Sequence, residues 1–139
     1  SGMALKNVGY RAIDGADLSQ RMLDVARDRA VYRDLSLVEP DQPPSTDLAS
    51  YRAITAAGVI SKGAAPPAVY GQMLDVMQPG AFLAFSLNDL SLADPDYCDL
   101  VSQSAADGRV KVLSQQHGPH LAKYGENSGS TVYVLERLG

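Results

Sequence analysis

The chain has no tryptophan, one cysteine, two histidines and two phenylalanines. The lone Cys98 excludes an internal disulfide, and no second Cys or His stands beside it at a zinc spacing. That cysteine usage suits a reducing compartment, so a cytoplasmic location is expected. No hydrophobic run approaches the roughly 20 residues of a membrane-spanning helix. No secretory leader pattern is visible, and no membrane partner is expected. Lys and Arg form no run or stripe. Twelve basic residues stand against 16 acidic ones, for a net charge of −4 and a pI of about 5.0. That balance argues against nucleic acid as a partner. No internal repeat and no low-complexity stretch occurs.

What is present is enough for a core. The 139 residues are 45% hydrophobic, which suits one domain and not two. Residues 3–139 are read as that single domain. Ser1-Gly2 before Met3 resembles an expression remnant and is set aside.

Hydrophobic patterning then orders the elements. Tyr10 to Asp17 suits a strand ending at an acid. From Leu18 the period becomes helical, with Ser19 as N-cap and Leu18, Met22, Val25, Ala26 and Arg29 or Ala30 near one face. Asp34 to Glu39 reads as a second strand, and Pro40 to Asp47 as loop. Tyr51 to Ile60 is a third strand, continuous in small and apolar residues. Pro66-Pro67 opens a helix that places Val69, Tyr70, Met73, Leu74 and Met77 on one side. Gln78-Pro79-Gly80 stops it. Ala81 to Leu87 is the clearest strand, and Asp96 to Ala106 a weaker helix. Arg109 to Ser114 and Ser130 to Glu136 alternate as half-exposed antiparallel strands do. Gln116 to Gly129 reads as a long polar loop. The early alternation implies an α/β fold with a mainly parallel sheet, and the last two strands an antiparallel finish.

Ligands of open α/β sheets sit beyond the carboxyl ends of the strands. Asp17 ends the first visible strand, where a carboxylate can accept from both ribose hydroxyls. Leu18 and Met22 can lie against an adenine face. Glu39, or Asp41 in its place, can accept from the adenine amino group. Ala57 and Gly58 end the third strand with small residues, which let a ligand approach backbone. Each has a plainer reading: a turn acid or helix cap for Asp17, core for Leu18 and Met22, a solvated loop acid for Glu39. Their succession at strand ends is what points to a nucleotide-like ligand.

These segments resemble the class I S-adenosylmethionine-dependent methyltransferases. Asp14-Gly-Ala-Asp-Leu-Ser-Gln-Arg-Met-Leu-Asp-Val-Ala-Arg27 is similar to their D-x-S-x-x-M-L-x-x-A segment, with the ribose acid at Asp17. Leu74-Asp-Val-Met-Gln-Pro-Gly-Ala-Phe-Leu-Ala-Phe-Ser86 is similar to their L-x-x-x-L-K-P-G-G-x-L-x-F turn. Val31-Tyr-Arg-Asp-Leu35 and Gly58-Val-Ile-Ser-Lys-Gly63 further resemble the methyltransferase-like subgroup named for the Williams–Beuren region. The resemblance runs from Val8 to Leu138. It implies a Rossmann-like fold, S-adenosylmethionine as cofactor and methyl transfer to a small-molecule acceptor. It also implies that Asp17 holds the ribose, Leu18 and Met22 the adenine face, Glu39 or a neighbour the adenine edge, and that Ala57 and Gly58 lie near the methionine end.

The family opens with a strand and a glycine-rich turn of the D-x-G-x-G-T-G kind. Here Met3 to Tyr10 matches only the tail of the helix that follows such a turn, with Gly9 as its C-cap. The expectation is therefore a domain lacking its first strand, normally central between the Asp17 and Ala57 strands, with weak or absent cofactor binding. Two edges would be left unpaired. Either they close on each other, or a second chain fills the gap as a homodimer.

Catalytic candidates are sparse. His117 or His120 could act as a base, though solvated loop histidines are the commoner case. Methyl transfer can also proceed by positioning alone. Tyr124 could line the acceptor side or anchor a loop. Asn88-Asp89 reads first as turn chemistry, and Cys98 as helix packing. The alternatives are a non-catalytic module acting through oligomerisation or partner binding, and a nicotinamide-dependent oxidoreductase fragment, which would also carry a ribose acid. The terminal antiparallel pair and the Pro79-Gly80 turn argue against the latter.

Overall fold

The computed structural model describes residues 2–39, 47–62, 64–119 and 129–139. The chain divides into two compact units, Ser1–Asp47 and Leu48–Gly139.

The first unit opens with α1 (Gly2–Asn7). Tyr10 N–H donates to the Leu5 carbonyl at 3.1 Å and Gly9 N–H to the Lys6 carbonyl at 3.0 Å. That is a Schellman ending, and it requires the left-handed backbone that Gly9 adopts at φ 108°. Two parallel strands follow, β1 (Asp14–Asp17) and β2 (Asp34–Leu37), with Asp14 opposite Asp34. Between them lies α2 (Gln20–Asp28), capped by Ser19, whose Oγ accepts from Met22 N–H at 3.3 Å. The expected apolar face of α2 is not the one buried. Leu23 is the buried residue, whereas Met22 and Val25 are exposed. A short helix with few apolar residues leaves its orientation to packing, so period alone placed the face about one residue off. Both strands are also shorter than the patterning suggests.

The second unit starts with a 3-10 turn at Leu48–Ser50. Its sheet has the order β3-β4-β6-β5. β3 (Ala53–Ala56) and β4 (Phe82–Asn88) are parallel, with Ala56 opposite Phe85. β6 (Gly129–Arg137) runs antiparallel to β4 and to β5 (Val110–Pro119). α3 (Ala68–Val76) crosses from β3 to β4 with Val69, Tyr70, Met73 and Leu74 buried. Met77, just past it, is buried too. The expected apolar stripe of α3 is thus the one that packs. Phe85 lies between Tyr70 and Tyr133, with ring centroids 5.2 Å from each. Leu83, Leu87 and Leu135 complete the centre of this core.

Three short helices, α4 (Asp89–Leu92), α5 (Pro95–Cys98) and α6 (Leu100–Ala106), replace the single helix expected after β4. Asp94 and Pro95 break the run: Asp94 caps α5 through Asp96 N–H, and proline occupies its first turn. The C-terminal pair is antiparallel as expected, but β5 reaches Pro119. Gln116 to Pro119 are therefore strand and not loop. Pairing with β6 supplies the hydrogen bonds that a polar sequence does not advertise.

Candidate cofactor site

In the first unit, Asp17 stands at the carboxyl end of β1 and is half-buried. Ser19 N–H donates to Asp17 Oδ1 at 2.9 Å. This bond and the Ser19 cap fix the turn from strand to helix, so Asp17 does serve the plainer role of a turn acid. Oδ2 has no partner among the described residues, and each carboxylate oxygen can accept twice, so Asp17 retains capacity for two hydroxyls. Leu18 and Met22 are 55% and 54% exposed. Two large apolar side chains left open beside a carboxylate are the fit an adenosine needs: a polar grip for the sugar and an apolar surface for the base. Their exposure also removes the plainer reading of both as core. Glu39 is exposed two residues beyond β2. Asp41 lies outside the described residues. An open cleft of about 380 Å³ in this unit is lined by Lys6, Gly9, Tyr10, Arg11, Ala30 and Val31. It contains none of the expected residues.

In the second unit, Ala57 and Gly58 are exposed just past β3. Gly58 adopts φ 69°, where a side chain would be strained. Its N–H donates to Ser86 Oγ of β4 at 3.0 Å. Lys62 N–H donates to the buried Ser91 Oγ at 2.9 Å, and Tyr97 Oη to the Ser61 carbonyl at 3.1 Å. Lys62 also pairs with Asp94 at 3.3 Å. The Asp96 backbone N–H, and then Lys62, hold the Asp94 carboxyl below its usual range. The loop after β3 is thereby tied to β4, α4 and α5. Ser86, Ser91 and Tyr97 were not expected to have this role, because each acts about 30 residues away in sequence.

Asn88 proves to be the N-cap of α4, accepting from Ser91 N–H at 2.8 Å. Asp89 receives His117 Nε2 on Oδ1 at 2.8 Å and Gly129 N–H on Oδ2 at 3.1 Å. The structure therefore brings His117, a strand residue, to Asp89. His120 and Tyr124 lie outside the described residues. Cys98 is exposed and does not pack in a core. Desolvation, then the charge of Asp99, raises its thiol pKa, which opposes a role as nucleophile.

No family model and no curated protein matches the chain. Solved structures do. A ribosomal protein L11 methylase from Lactobacillus delbrueckii subsp. bulgaricus aligns with a TM-score of 0.62 at 12% identity, over 99% of this chain and 63% of that one. The cyclase SpnF aligns at 0.66 and 15% identity, over 99% and 71%. An S-adenosylmethionine-dependent methyltransferase from Clostridium acetobutylicum aligns at 0.62 and 11% identity, over 92% and 76%. The chain thus spans just under two-thirds of the length of the methylase. At such identities the likeness shows the fold alone, and the presence of a cyclase illustrates why. The chain has the Rossmann-like α/β fold of S-adenosylmethionine-dependent methyltransferases.

Proposed function

We propose that this chain serves S-adenosylmethionine-dependent methyl transfer to a small-molecule acceptor. The observation that carries the reading is Asp17 at the end of β1, with acceptor capacity left and with Leu18 and Met22 exposed beside it. Asp17 would hold the ribose hydroxyls, Leu18 and Met22 the adenine face, and Glu39 the adenine edge. The cofactor, when bound, supplies a sulfonium methyl group already activated for displacement. The chain's own part is to bind, to orient and to keep water from the methyl group. Val31 to Leu35 and Gly58 to Gly63 support placement near the Williams–Beuren-region subgroup.

Among the described residues β1 pairs only with β2, and β3 only with β4. These edges could take a further strand, and a second copy of the chain is the proposed donor.

The test is calorimetric titration with S-adenosylhomocysteine on a sample of measured mass. A hydrogen bond to a charged group is worth about 1.5–3 kcal/mol. Asp17→Ala is therefore expected to weaken binding by roughly 10- to 150-fold for each bond lost. No heat at millimolar ligand, or equal affinity in Asp17→Ala, refutes the reading.

A further inference from the structure

We propose that Asp89 and His117 form a base dyad that takes the proton from a phenolic hydroxyl acceptor, an inference that rests on the methyl-transfer reading above. Three observations in the second unit carry it. The first is position. β3, β4 and β5 run in the same direction. Their carboxyl ends share one end of the sheet, where ligands of such sheets bind. Ala57 and Gly58 follow β3 there. Asp89 follows β4, and His117 lies near the end of β5.

The second is orientation. An ionised carboxylate only accepts, so the 2.8 Å contact to Asp89 Oδ1 requires His117 Nε2 to donate. In the neutral ring the lone pair then sits on Nδ1, which has no partner among the described residues. Asp89 is itself held, because Gly129 N–H donates to Oδ2 at 3.1 Å. An imidazole fixed in one tautomer by an oriented carboxylate is the arrangement a general base needs. The His117 side chain is 60% exposed, so an acceptor can reach it.

The third is room. A Cβ on Gly129 would stand 2.7 Å from both Asp89 Oδ2 and His117 Nε2. Gly129 does not adopt positive φ, so backbone strain does not require glycine here. A side chain there would push the Asp89 and His117 side chains from their present contact.

In the reaction the acceptor O–H proton passes to His117 Nδ1 while the oxygen bonds to the methyl carbon. The carbon–sulfur bond breaks, and the sulfur keeps its electron pair. Asp89 balances the imidazolium until the proton leaves to water. A carboxylate acceptor would need no base. An aliphatic alcohol is a far weaker acid than a phenol, and base efficiency falls as the acidities diverge. His117 is the catalytic residue, with Asp89 and Gly129 as positioning residues.

Two readouts test this. In a His120→Gln background His117 is the only imidazole, and its nitrogen-15 spectrum reports the tautomer directly. Free histidine already favours the Nε2–H form a few-fold, so an essentially pure Nε2–H ring is expected here, and Asp89→Ala should relax it to the free-histidine mixture. Independently, methylation of catechol is followed with benzoate as comparison. His117→Gln is expected to lower kcat on catechol by about 100-fold or more, with S-adenosylhomocysteine affinity unchanged. Asp89→Ala and Gly129→Ala should lower kcat in the same direction without raising KM to match. An Nδ1–H tautomer, a His117→Gln rate within threefold of the parent, or cofactor-product binding without catechol turnover overturns the proposal. Failure of the parent chain to bind S-adenosylhomocysteine refutes the underlying reading instead. The change in tautomer mixture between the parent and Asp89→Ala then still decides whether the dyad exists.

Discussion

The two phenylalanines of the chain offer a sharp test of the second unit. Phe82 and Phe85 are both on β4, three residues apart, so they point to opposite faces of the sheet. Phe85 is 1% exposed and Phe82 is 42% exposed. Phe85→Ala removes a buried ring and leaves a cavity between Tyr70 and Tyr133. Such changes cost about 3–5 kcal/mol, and the lost ring pairs favour the upper part of that range. Phe82→Ala gives up only part of the roughly 1.5–3 kcal/mol that full burial of such a side chain brings. Solvent fills the space it leaves, so about 1 kcal/mol is expected. The assay is urea unfolding followed by fluorescence of the tyrosines and by circular dichroism. With a slope of about 1–3 kcal/mol/M, Phe85→Ala should lower the midpoint by roughly 1–5 M and Phe82→Ala by three- to fivefold less. A domain of this size has only about 5–15 kcal/mol in total, so at the low end of that range Phe85→Ala leaves little folded protein. Phe85→Leu then gives a smaller, measurable loss that should still match or exceed that of Phe82→Ala. Equal midpoints for the two alanine variants would refute the assignment of faces.

Three further outcomes are expected. Burial raises the pKa of Tyr70, Tyr97 and Tyr133 above 10.0. The unfolded chain therefore releases these protons first, and stability should fall as the pH rises through and above about 10; urea midpoints between pH 8 and 11 measure this, and replacing the three by Phe should flatten the dependence. Ser19→Ala removes the cap bond to Met22 N–H and should cost about 1 kcal/mol in the first unit, read by the thermal midpoint of helical circular dichroism. Ala30 adopts φ 53° just after α2, a conformation that glycine takes without a steric penalty. Ala30→Gly should raise the same midpoint, and a fall would refute the strain argument.

Much of this protein was determined locally, and that part is legible in the sequence. Gly9 ends α1 because only the nearest residues shape a Schellman turn. Asp17, Ser19 and the switch from strand to helix follow from contacts spanning five residues. The stripe of α3 and the alternation of β4 repeat often enough for one face to be apolar whatever surrounds it. The carboxylate at the end of β1 and the small residues after β3 belong to the same class.

Tertiary structure decided the rest. Whether Leu23 or Met22 of α2 faces inward is settled by packing, since both lie within the arc that period permits. Residues 116–119 are polar and read as loop, yet pairing with β6 makes them strand. Ser86, Ser91 and Tyr97 hold the loop after β3 through bonds that no short spacing encodes. The contact of Asp89 with His117 joins residues 28 apart and lies against Gly129, a further 12 along, where a side chain would displace it. Local spacing reports which side chains share a face. Only the register of β4, β6 and β5 brings those three residues together.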